Sequence, residues 1–232
     1  MKRVTEALKA IALKKPSARA FELAGAISTL FKLNGVMLVV TGELAFNSYA
    51  SSVSKTSELE FAAYAGKLTP RLLQKIMRGE LGAQGSVSRW ELLGIAVRFQ
   101  FESAVALKNL CRDIATPYGV VKLRPAEEIT AERILGAVFP SKNEMARGEA
   151  LTLLTQALVD SFQMDWLALQ NLCHQPEYRI GEELAQLRSE AKRKADANGL
   201  GVNQVGHHWT GKTEPVIVQG SLPLDTDPAL SS

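Results

Sequence analysis

The feature that most constrains this chain is the stretch at residues 35–61, GVMLVVTGELAFNSYASSVSKTSELEF. An apolar run at 36–40 ends at Thr41 and Gly42, and an amphipathic piece follows at 43–50. A polar loop at 51–57 then leads into the alternating Glu58-Leu59-Glu60-Phe61-Ala62-Ala63-Tyr64. The pattern predicts strand, turn, short helix, loop and strand. Side chains alternate faces along a strand, so Glu58 and Glu60 share one face while Leu59 and Phe61 enter the core. Two carboxylates on one strand face repel. Unless both are simply solvated, they call for a cation or a proton between them.

Around this stretch the chain divides by its spacing. Residues 5–13 and a second run through Phe21, Leu23, Ala24, Ile27, Leu30 and Phe31 read as helices, with Pro16 stopping the first, Ser17 capping the second and Asn34-Gly35 ending it. Beyond the centre, Gly66-Lys67 reads as a turn, Thr69 as a cap for a helix at 70–78, and 79–88 as loop. LLGIAVRFQF at 92–101 is expected as one strand of the same sheet, 104–111 is ambiguous, and 118–123 reads as another strand. From Ala126 helical spacing dominates, at 126–139, 144–159, 165–173 (capped by Asp165) and 180–197. The expected class is therefore α+β, a small mixed β-sheet with flanking helices followed by a helical region. The expected division is a mixed core at 1–125, a helical region at 126–199 and an irregular arm and tail at 200–232.

Bulk properties exclude little else. The 232 residues are 46% hydrophobic, ample for a core. A net charge of +3, from 27 basic and 24 acidic residues, permits a nucleic-acid partner without arguing for one. Cys111 and Cys173 lack CxxC spacing and read as reduced thiols. No run approaches the roughly 20 apolar residues that span a bilayer, and the N-terminal residues lack a signal peptide's apolar stretch. A cytoplasmic protein without membrane attachment is expected.

The central stretch is similar to the signature of the DNA polymerase β nucleotidyltransferase superfamily, in which a strand leads into Gly-Gly or Gly-Ser, a helix, and a strand bearing Asp-x-Asp or Asp-x-Glu. More narrowly it resembles nucleotidyltransferase-like proteins of the AbiEii toxin type, with a GG-x-A motif, a tyrosine, then T-x-D-x-D. The matching residues are Gly42-Glu43-Leu44-Ala45, Tyr49 and Thr56-Ser57-Glu58-Leu59-Glu60. Weaker parallels continue at Leu123-Arg124-Pro125-Ala126-Glu127-Glu128, Arg133, Arg147 and Asp165-Trp166-Leu167-Ala168-Leu169, so the likeness covers roughly residues 20–187. The resemblance implies that an active enzyme would use Mg²⁺ and a nucleoside triphosphate. Glu58 and Glu60 would serve as catalytic and metal-binding carboxylates, and Gly42, Ser54, Lys55 and Thr56 as the nucleotide site. A nucleotidyl group would pass to an RNA or protein hydroxyl.

The departures point elsewhere. Glu43 stands where the second glycine belongs, beside backbone N–H groups that would hold phosphates. Both aspartates are glutamates, whose longer side chains displace their carboxylates, while Mg²⁺ takes near-octahedral oxygens at about 2.1 Å. A third carboxylate is expected on a neighbouring strand. The 92–101 segment offers only Glu91 and Glu102 at its ends, with Gln100 a weak ligand and Arg98 a repulsive one. The favoured reading is a degenerate, non-catalytic binding or regulatory module for a protein, RNA or DNA partner. Arg188, Lys192, Arg193 and Lys194 on the last helix are its candidate partner surface. The working transferase is one alternative, and a structural protein of a mobile element another. Blander readings stay open for each residue: a solvated strand face for the glutamates, a helix-dipole preference for Glu127-Glu128, and ion pairs for Arg133 and Arg147. Neighbouring His207 and His208 face opposite ways on an extended segment and make a poor chelating pair.

Overall fold

A computed structural model describes residues 2–50, 58–101 and 105–198. Two helices come first, α1 (Lys2–Ala12) and α2 (Pro16–Leu33). Pro16 does stop α1, but it also occupies the first turn of α2, where its missing N–H costs nothing. The N-cap is therefore Lys15, without a side-chain cap, and Ser17 falls inside the helix. Gly35, at φ +78°, turns the chain into β1 (Met37–Thr41). Next come α3 (Gly42–Ala50) and β2 (Glu58–Ala65). Thr69 caps α4 (Pro70–Leu73) by accepting from Leu72 N–H, and the helix widens into a π-helical stretch, Gln74–Glu80. Strands β3 (Gln84–Ser86), β4 (Arg89–Leu92), β5 (Ile95–Gln100), β6 (Arg112–Thr116) and β7 (Gly119–Leu123) follow. The chain ends in α5 (Ala126–Val138), α6 (Glu144–Leu158), α7 (Trp166–Cys173) and α8 (Gly181–Ala197).

The seven strands form one mixed sheet in the order β3-β4-β5-β2-β1-β7-β6. β1 runs antiparallel to β2, while β5 and β7 flank that pair in parallel with their neighbours. On one face Leu38, Val40, Leu59, Phe61, Val97, Phe99 and Val121 are buried in the same cluster as Leu23, Ile27 and Phe31 of α2. Phe99 lies 5.3 Å from Phe31 and 5.4 Å from Phe61, centroid to centroid, so three aromatic rings tie the helix to the sheet centre. A second contact fixes the other end: Thr29 donates to the Tyr118 carbonyl at 2.8 Å, and a Cβ on Gly25 would fall 2.1 Å from Thr116 Oγ1. The opposite face carries Glu58, Glu60, Ala62 and Tyr64 and is covered more sparsely, by a small cluster of Val39, Ala62 and Val105. The larger cluster around α2 continues into the helical half through Phe46, Tyr49, Phe162 and Leu153.

Two local expectations change. Residues 92–101 are not one strand: Leu93 and Gly94, at φ 55° and 71°, form a two-residue turn between β4 and β5. Two positive φ values suit a hairpin twist, and cross-strand pairing holds leucine in a conformation it disfavours. Residues 79–88 are only partly loop: the helix runs to Glu80, and Gln84–Ser86 form β3, which pairs with β4. Gly85 permits that pairing, since a Cβ there would meet the Arg89 carbonyl at 2.3 Å.

Candidate functional site

The end of β1 and the start of β2 set the geometry. Thr41 pairs with Glu60, and Gly42, at φ +63°, swings the chain into α3. Glu60 packs against that glycine. A Cβ on Gly42 would lie 2.8 Å from both the Cδ and Oε2 atoms of Glu60, so the position needs glycine for space as well as for φ. Glu58, two residues earlier, projects from the same face, and both side chains are largely but not fully covered. The two acids therefore project from one strand, with Glu60 meeting the turn at Gly42.

The cation between them comes from the protein. β5 lies parallel to β2 with Arg98 opposite Glu60. Arg98 Nε sits 2.5 Å from Glu58 Oε1, and Nη1 is 3.8 Å from Glu60 Oε1. Burial holds the Glu60 carboxyl above the ordinary range, the charge of Glu58 pushes it further up, and Arg98 opposes both. Among the described residues no group of three or more His, Cys, Asp or Glu could hold a metal ion. Glu102, a candidate third carboxylate, lies outside the described residues. With a guanidinium on both carboxylates, the pair of glutamates as it stands does not fit a Mg²⁺ ion unless Arg98 leaves.

A second layer of charge surrounds this pair. Arg133 of α5 places Nε 2.9 Å from Glu149 Oε2 and Nη2 3.8 Å from Glu43 Oε2, with its guanidinium over the Phe46 ring. Glu43, at the start of α3, thus faces an arginine. Arg124, almost wholly buried, is 2.7 Å from both Glu128 Oε2 and Glu132 Oε1. Glu128 also accepts from Leu107 N–H at 2.5 Å, and Glu127 accepts from Asp165 N–H at 2.7 Å. A helix dipole accounts for neither acid: Glu128 is 1% exposed and Glu127 4%. Burial raises the Glu127 carboxyl, its hydrogen bond from Asp165 N–H only partly offsetting that. The Tyr49 hydroxyl donates to the Arg124 carbonyl at 2.9 Å, tying α3 to the start of α5. Sequence reasoning missed this network, although Arg124 and Glu128 stand four residues apart.

The remaining candidates scatter. Ser54, Lys55 and Thr56, like His207 and His208, lie outside the described residues. Arg188 stacks on Trp166 at 4.3 Å, so it is engaged within the chain, while Lys192, Arg193 and Lys194 are exposed near the end of α8. Arg147 takes Glu190, leaving that acid unavailable as a simple partner for Lys194. Arg133 and Arg147 are both ion-paired. Asp165 caps α7, accepting from Ala168 N–H at 2.9 Å. Burial pushes the Cys111 and Cys173 thiols up to about 12, so neither is a ready nucleophile.

No protein-family model and no curated protein matches the chain. Among the solved structures similar to it are two nucleotidyltransferase folds. One is the antibiotic-resistance factor ANT(2'')-Ia, with a TM-score of 0.40 and 15% identity over 75% of this chain and 91% of that one. The other is an antigenic nucleotidyltransferase-like protein from Paracoccidioides brasiliensis, with a TM-score of 0.42 and 15% identity over 69% of this chain and 90% of that one. At TM-scores this low neither likeness decides the reading, which rests on the strand, turn and ion pairs above. Among the described residues no helix is long and apolar enough to cross a membrane.

Proposed function

We propose that this protein carries a nucleotidyltransferase-like scaffold of the AbiEii type in degenerate form. It works by binding a protein or nucleic-acid partner rather than by transferring nucleotides. One observation carries the reading: Arg98, opposite Glu60 on the neighbouring strand, occupies the space between the two glutamates where a divalent cation would sit. A bound metal would have to displace a tethered guanidinium and then tolerate its charge nearby, at an electrostatic cost. Glu43 adds to this, since its carboxylate stands at the helix N-terminus that a triphosphate would need. The residues Glu58 and Glu60 are then structural partners of Arg98, and Gly42 is a packing requirement.

The test is a label-transfer assay with each nucleoside triphosphate, radiolabelled on the α-phosphate, over candidate RNA and protein acceptors in Mg²⁺ or Mn²⁺. No transfer is expected, and calorimetry should detect no metal-dependent nucleotide binding. Transfer by the native chain that vanishes in the Glu58→Ala, Glu60→Ala double variant would establish the enzyme instead.

A further inference from the structure

We propose that the end of α2 and the adjoining α4 form a docking surface for the phosphate backbone of duplex DNA. Residues 23–42 and 61–79 contain none of the chain's 24 acidic residues, yet hold Lys32, Lys67, Arg71, Lys75 and Arg78. The fold brings the two stretches together. A Cβ on Gly66 would lie 2.5 Å from the Gly35 carbonyl, seating the Lys67 turn against the end of α2. Lys75 Nζ donates to Asn34 Oδ1 at 2.7 Å from the helical side. All five bases are exposed, and none makes an ion pair among the described residues. Arg78 turns away, donating to the Gly85 carbonyl at 2.7 Å and lying over Trp90, so four cations make the surface.

The occupant follows from what surrounds these charges. Of the aromatic residues in these two stretches, Phe31 and Phe61 are buried, and Tyr64, on the opposite face of the sheet, is faced by the ammonium groups of Lys108 and Lys122 at 5.7 and 5.0 Å, so none offers a free stacking platform for a single strand. Leu33 and Met37 are the exposed large apolar side chains beside the patch, too few for the desolvated centre of a protein interface. Unneutralised cations on a helical surface suit the regular, dense phosphates of a duplex, read without regard to sequence. The basic end of α8 is a poorer site, because Glu190 and Asp196 interleave with its bases. This surface is independent of the reading of Arg98 and stands whether or not the glutamates ever hold a metal.

Fluorescence anisotropy with a mixed-sequence DNA duplex of about 20 base pairs tests it. Four phosphate contacts predict a slope of log Kobs against log salt of about −3.6, at about −0.9 per contact. The triple variant Lys67→Gln, Arg71→Gln, Lys75→Gln should bind at least about tenfold more weakly and lose about 2.7 of that slope, while Lys192→Gln, Arg193→Gln, Lys194→Gln should change neither. Melting temperatures of both variants, read alongside, should stay close to that of the native chain, since every substituted side chain is exposed and only Lys75 gives up a hydrogen bond, to Asn34. The assignment is overturned if the native chain ignores the duplex at low salt, if the triple variant binds as well, or if only the α8 variant weakens. Tighter binding to the single strand, to an RNA duplex or to polyglutamate would overturn it equally.

Discussion

Arg98→Gln is the most informative single change, because it removes the cation while keeping a polar side chain on β5. The Arg98 side chain is 46% exposed and that of Glu58 34%, so the 2.5 Å contact is screened and discounted accordingly. Exposed ion pairs are worth about 0.2–1 kcal/mol, and the longer contact to Glu60 adds a few tenths at most. Leaving two acids face to face costs a similar small amount, so the total is about 1 kcal/mol at neutral pH and low ionic strength. For a chain of this size that corresponds to a fall in Tm of about 2–4 °C. The sign with pH follows from Glu60, whose carboxyl is already raised by burial and Glu58 and is restrained by Arg98. Removing Arg98 raises it further. A raised carboxyl contributes stability that is full below the unfolded pKa and lost as pH rises through the folded one. The variant's deficit should therefore be largest at pH 7 and should close as pH falls toward the ordinary glutamate range. Urea unfolding followed by circular dichroism from pH 4 to 8 reads both quantities, and added salt should shrink the neutral-pH difference. Arg98→Asp extends the argument: with a third carboxylate opposite Glu60, calorimetry should detect Mn²⁺ binding that the native chain lacks. A more stable or pH-indifferent Arg98→Gln protein, together with no Mn²⁺ binding by Arg98→Asp, would refute the view of Arg98 as a tethered counterion.

Other expectations follow from the same geometry. Gly42→Ala should destabilise by about 1–3 kcal/mol, through its φ of +63° and its clash with Glu60. Adding Glu60→Ala should recover only the steric part, which a double-mutant cycle in urea measures. Arg124→Met should cost about 3–5 kcal/mol, because it leaves Glu128 charged at 1% exposure; a loss under 1 kcal/mol would deny the pair its structural role. Glu127→Gln keeps an acceptor for Asp165 N–H while removing a charge that burial disfavours. It should be neutral or stabilising at pH 7 and lose that advantage as pH falls through the range where Glu127 protonates, whereas Glu127→Ala should cost about 1–3 kcal/mol at any pH.

What could be read from the chain depended on whether the deciding contact was local. The alternation at residues 58–64 and the Thr41-Gly42 boundary were legible because strand periodicity and the conformational freedom of glycine act over a few residues. The helices beyond Ala126 were legible by the same logic, with Asp165 announcing its own cap. Two failures share the opposite cause. Leu93 gives no turn signal, so the hairpin that splits residues 92–101 is dictated by the pairing of β4 with β5. Glu127 and Glu128 satisfied a local rule about acids at helix starts, which concealed that both are buried and bonded to distant backbone N–H groups. Arg98 shows the limit most sharply. Its charge was visible in the sequence, but only the parallel register of β2 and β5 reveals which groups it meets. Its positive charge satisfies the two glutamates. That counterion explains how both acids persist on a half-covered strand face.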